Sequence, residues 1–116
     1  MRRVVVTGLG IVSPLGVGVD HVWRRLTAGE SGIVAIDRFD TYDLPSKIAG
    51  QLPPGPRSEG RFDAEEWVEP KDQRKNDPFI IYGIAAATQA VEDAGWTPSD
   101  EESLIRTGVM IGSGIG

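Results

Sequence analysis

The chain contains no cysteine. Disulfides, thiolate metal sites and a cysteine nucleophile are therefore excluded within its 116 residues. His21 is the sole histidine, so a metal centre built from clustered imidazoles is excluded too, and a solvated or locally capped side chain in the first turn of a helix is its expected role. Apolar runs are short. The longest strand-like one, at 4–6, is far below membrane-spanning length, and Met1, Arg2 and Arg3 lead into a strand pattern with Gly and Pro behind it, not into a signal-peptide core. Basic charge is in deficit: 12 Lys and Arg against 17 Asp and Glu leave a net charge of -5, which argues against general nucleic-acid binding but leaves room for one local positive patch. These features predict a cytoplasmic protein with no membrane span, no nucleic-acid role and no metal.

The composition that remains is that of an ordinary globular chain, 40% hydrophobic and 25% charged. Its best-marked stretch is 71–95. Asp77 is placed to accept the orphan N–H groups of a first helical turn, Pro78 suits the first helical position, and Gly95 can adopt the left-handed conformation that ends a helix. Phe79, Ile80, Ile81, Tyr82 and Ile84 to Ala87 leave its first half without a polar stripe. A helix apolar on all sides must be covered on all sides, so this half is expected deep inside a large body.

Upstream, the β-branched run at 3–8 reads as a central strand buried on both faces. Glycines and Pro14 punctuate a loop behind it. Asp20 is the expected cap of a short helix through Leu26, with Gly29 as its stop. Residues 33–36 and 47–49 read as short extended pieces. Residues 52–69, opening with Leu52, Pro53, Pro54, Gly55 and Pro56, read as a surface insert with an acidic end anchored by Trp67. A second apolar strand is expected from Thr107 into the glycines at 112–116. Two buried strands joined through helices imply a parallel pair with a right-handed crossover, which needs further strands and covering helices. The chain has too few residues to supply them, and a fragment or a subunit completed by another chain is expected.

Two glycine motifs fail on inspection. Gly8 and Gly10 follow a strand pattern as in a dinucleotide fingerprint, but Ser13 stands at the third glycine position and Pro14 interrupts the helix start. Ser113 lies between glycines, yet Ile111 and Ile115 occupy the glycine positions of a nucleophile elbow, and a structural turn is the better reading. The cations Lys71, Arg74 and Lys75 precede a helix N-terminus and together could attract a phosphate or an acidic surface. On charge pattern alone a solvated loop that balances Asp72 and Asp77 is favoured.

Four blocks change that weighting: Val-Val-Val-Thr-Gly-Leu-Gly-Ile-Val-Ser-Pro-Leu-Gly at 4–16, Ala-Gly-Glu-Ser-Gly-Ile at 28–33, Asp-Gln-Arg-Lys-Asn-Asp-Pro-Phe-Ile-Ile-Tyr-Gly at 72–83 and Ile-Gly-Ser-Gly-Ile-Gly at 111–116. In this order the chain resembles the N-terminal part of the β-ketoacyl-acyl-carrier-protein synthase II family over nearly its whole length. The resemblance implies an α/β, thiolase-like fold made of two duplicated halves, each with a mixed five-stranded sheet. Residues 1–116 would be an incomplete N-terminal domain, the opening strand-helix-helix-strand part of the first half. It implies a transferase of fatty-acid biosynthesis that elongates acyl chains on acyl carrier protein (ACP) by decarboxylative Claisen condensation with malonyl-ACP. In that family a cysteine takes the acyl chain from the carrier's phosphopantetheine arm, backbone N–H groups hold the oxyanion and two histidines assist decarboxylation. None of these catalytic residues is in the chain, since His21 matches neither histidine motif, so the chain alone is expected to be inactive.

The resemblance further implies that Lys71, Arg74 and Lys75 dock the acidic helix of acyl carrier protein. Gly114 and Ile115 match the gate of the acyl pocket near a homodimer interface. No bound cofactor is implied, the substrate travelling on the carrier's phosphopantetheine. The alternative within the same fold is a non-catalytic partner subunit resembling a chain-length factor. An independent small binding domain, which would fold alone as a monomer, is the third reading.

Overall fold

The computed structural model describes residues 1–114. They divide into two units, one of Ile11–Glu66 and one of Met1–Gly10 with Trp67–Gly116.

The Ile11–Glu66 unit carries all the β-structure found among the described residues. Strands β1 (Val12–Ser13) and β2 (Gly16–Val17) form a tight antiparallel pair, in which Val12 faces Val17 and Ser13 faces Gly16. Pro14 and Leu15 make the turn, and the Ser13 hydroxyl accepts the Leu15 N–H at 3.2 Å. Helix α1 (Val19–Thr27) follows at once. Its N-cap is Gly18, whose carbonyl accepts the Val22 N–H at 3.0 Å. Asp20, expected as the cap, instead lies in the first turn, where its charge still complements the helix dipole. The start shifts because Gly18 supplies a φ of 95°, which re-aims the chain out of β2. Gly29, with φ 74°, follows the helix end as expected. Val17 and Val22 are the buried apolar side chains here.

The two short extended pieces become β3 (Ile33–Ala35) and β4 (Ile48–Gly50), paired antiparallel with Val34 opposite Ala49. Residues 52–62 are tied down at many points. Gly55 N–H donates to Phe62 O at 3.1 Å and Phe62 N–H to Pro53 O at 2.8 Å, while a 3-10 turn (Arg57–Glu59) closes the tip. Gly60 is buried, and its carbonyl accepts the Val17 N–H at 2.9 Å, which fastens the loop to β2. A Cβ on Gly60 would overlap the His21 ring, and one on Gly16 would lie 2.8 Å from His21 Cδ2. His21, half-buried, thus sits wedged between two glycines.

The other unit is helical: α2 (Pro70–Gln73), α3 (Pro78–Ala94) and α4 (Glu101–Ile105). The expected ends of α3 hold. Pro78 is in its first turn and Gly95 caps it with φ 61°, donating to Glu92 O at 3.1 Å. Asp77 takes the N-cap position with extended backbone, but its carboxylate makes no capping hydrogen bond; its carbonyl accepts Ile80 N–H at 3.0 Å. The helix is covered along one stripe, Ile81, Ala85 and Gln89, and not all round; Phe79, Ile80 and Val91 are exposed. Residues 8–10 press on this helix. A Cβ on Gly8 would overlap the Ala90 carbonyl and lie 2.8 Å from Ala94 Cβ, and one on Gly10 would overlap the Ala86 carbonyl and lie 2.9 Å from Ala90 N. Leu9 N–H donates to Asp93 Oδ2 at 2.9 Å. These glycines serve backbone-to-helix packing.

The strands expected at 3–8 and from 107 are not formed among the described residues, and no parallel pair joins them. Val4 is 94% exposed and Met110 98%. β-branched sequence favours a pleated, covered surface, and it makes no ladder where no neighbouring strand presents one.

Candidate functional site

Lys71, Arg74 and Lys75 stand at i, i+3 and i+4, a spacing that gathers side chains on one side of a helical turn. The segment is a short helix and turn, where a solvated loop was the expectation from charge pattern. Asp72 and Gln73 N–H groups both donate to Glu69 O, at 2.8 and 3.0 Å, and Lys75 N–H donates to Asp72 O at 3.1 Å. Two side-chain amides brace it: Gln73 Nε2 donates to Val68 O at 2.7 Å and Asn76 Nδ2 to Asp72 O at 2.8 Å. Val68 is buried, so the base of the segment is anchored in its unit. The three cations are exposed on a braced support.

Their electrostatics are not those of a bare positive patch. Lys71 Nζ lies 2.6 Å from Glu69 Oε2, and Lys75 Nζ lies 3.1 Å from Asp72 Oδ1. Arg74 has no side-chain hydrogen bond or ion pair among the described residues. Asp77 completes three carboxylates set against three cations between Glu69 and Asp77.

The other site residues separate by placement. Gly114 is exposed at a bend, and Ile115 lies outside the described residues. Ser113 is exposed in irregular chain. The Ile11–Glu66 unit contains an open crevice of about 1010 Å³, which the sequence did not signal because its walls come from separate stretches, among them α1, β3 and the 51–61 loop. Its charges cancel: Arg25 is held by Glu30 at 2.5 Å and by Leu15 O at 2.6 Å, and Arg61 lies 3.5 Å from Glu59. Among the described residues no three His, Cys, Asp or Glu are grouped to hold a metal ion, and no helix is long and apolar enough to cross a membrane.

The family model for the β-ketoacyl synthase N-terminal domain matches residues 1–116, and the chain belongs to that family. It is 54% identical to 3-oxoacyl-[acyl-carrier-protein] synthase 2 of Rhizobium meliloti over 100% of this chain and 28% of that protein. It is 51% identical to the synthase of the same name from Vibrio cholerae over 99% of this chain and 26% of that protein. Among solved structures it is similar to the ishigamide ketosynthase/chain length factor, with 35% identity and a TM-score of 0.65 over 80% of this chain and 21% of that one. The fold class is therefore α/β and thiolase-like, and the chain spans about a quarter of the length of the curated relatives it matches.

Proposed function

We propose that this chain is the N-terminal portion of a 3-oxoacyl-ACP synthase of fatty-acid biosynthesis. Full-length similarity of the chain to synthases of that name carries the reading. In the reaction a cysteine thiolate outside this chain displaces the carrier's thiol from an acyl thioester. Malonyl-ACP then loses carbon dioxide, and its carbanion equivalent attacks the acyl-cysteine. The new carbon–carbon bond leaves a 3-oxoacyl-ACP two carbons longer, and the cysteine is released as thiolate. No bound cofactor is required, because the phosphopantetheine belongs to the carrier. The complete protein is cytoplasmic and homodimeric in this reading.

This chain's own contribution is docking. Lys71, Arg74 and Lys75 engage the acidic helix of acyl carrier protein, and the bracing by Gln73 and Asn76 fixes the spacing at which they are presented. Gly114 and Ile115 gate the acyl pocket. Simultaneous reversal of the three cations to Glu in the full-length synthase should weaken carrier binding by at least about tenfold and flatten its salt dependence. Unchanged affinity removes the patch from the site. An unaltered range of accepted acyl lengths in Ile115→Phe removes the gate. A full-length sequence with glutamine at the cysteine position would instead identify the non-catalytic partner subunit.

A further inference from the structure

Glu69 and Asp72 hold two of the three cations that would meet the carrier. We propose that these two carboxylates are internal competitors that set the affinity of the 71–75 patch for an acidic partner, an inference that rests on the docking reading above. The ion pairs Lys71–Glu69 and Lys75–Asp72 are exposed, with the lysine side chains 71% and 74% accessible, so each is an exchangeable contact. An incoming carboxylate must replace an existing one at Lys71 and Lys75, whereas at Arg74 it meets a guanidinium with no such contact among the described residues. Arg74 is therefore the first and least opposed anchor, and its planar fork suits bidentate capture of a carboxylate.

The cost of exchange depends on how many of the cations a partner reaches. A partner offering one isolated carboxylate gains Arg74 alone, because displacing a single internal pair is close to neutral. A partner whose carboxylates repeat at three- and four-residue spacing on a helix reaches all three cations and must displace both internal pairs to do so. Glu69 and Asp72 thus lower the affinity for a dense acidic helix and leave capture of an isolated carboxylate at Arg74 unchanged.

Asp77 provides the matched control, since it lies in the same segment, carries the same charge and makes neither an ion pair nor a capping hydrogen bond through its side chain. With the full-length synthase and fluorescently labelled acyl carrier protein at low salt, Glu69→Gln and Asp72→Asn should each tighten binding about two- to fivefold, and Asp77→Asn by less. Arg74→Ala should weaken binding more than Lys71→Ala or Lys75→Ala. Equal tightening by all three carboxylate variants would show that net charge alone is at work and overturn the competitor role. No tightening in Glu69→Gln and Asp72→Asn, with loss of binding in the triple reversal, sinks the competition and leaves docking standing. Insensitivity of both sets of variants overturns docking and competition together.

Discussion

Residues Ile11–Glu66 hold both ladders of the described chain, β1–β2 and β3–β4, whereas Met1–Gly10 with Trp67–Gly116 holds none, although it contains the more strongly β-branched sequence. Separation along the chain explains the contrast. β1 and β2 are joined by two residues, and the 52–62 loop closes on itself within about ten, so these contacts cost little closure entropy. The runs at 4–6 and 109–111 lie about a hundred residues apart and need neighbours on both edges and cover on both faces. Propensity proposes a strand; a partner decides whether one exists.

The two regions also use glycine against different obstacles, and three measurements on the full-length protein sharpen that difference. The largest effect is expected for Gly10→Ala, because the added methyl meets the backbone of α3 at Ala86 and Ala90, which cannot swing aside. A loss of about 3 kcal/mol in denaturant unfolding is expected, the upper end for overpacking. Gly60→Ala should cost less, about 2 kcal/mol, arising from its φ of 70° and from displacement of the His21 ring. Adding His21→Ala should recover the part due to the ring but not the part due to φ, a coupling that a double-mutant cycle reads directly. If Gly60→Ala proves the costlier change, the distinction between backbone and side-chain obstacles fails.

The smallest effect concerns α4. Hydrogen bonds from the Ser103 N–H at 2.9 Å and the Ser103 hydroxyl at 2.7 Å hold the exposed Asp100 carboxyl below its ordinary value of 3.8. A carboxylate with a lowered folded-state pKa contributes stability that is complete above its ordinary value and is lost as pH falls through the lowered one. The Ser103 amide should therefore lose its protected NMR signal only below pH 3.8, and Asp100→Asn should remove that acid transition. A Ser103 signal that does not change in acid would show that the cap does not hold α4.

What could be read from residues alone follows the same division. The ends of α3 were legible because Pro78 and Gly95 act on their own backbone. The family and its fold class were legible because four blocks recur in order. The start of α1 was misplaced because the turn at Gly18, set by β2, outranks the capping preference of Asp20. The need of α3 for cover was legible and its source was not, since an apolar helix states the first and not the second. The grip of Gly8 and Gly10 on α3, the His21 wedge and the self-pairing of Lys71 and Lys75 were not legible. Each depends on which distant or neighbouring group arrives first at a given atom, and no period in the sequence encodes that.

The bond from Leu9 to Asp93 bridges 84 positions of sequence. During synthesis at about 5–20 residues per second, roughly 4–17 s separate the two ends of that bond. Throughout that interval Gly8 and Gly10 have been made but the stretch of α3 they pack against has not. Slowing translation between the codons for Gly10 and Asp93 would lengthen that wait in proportion.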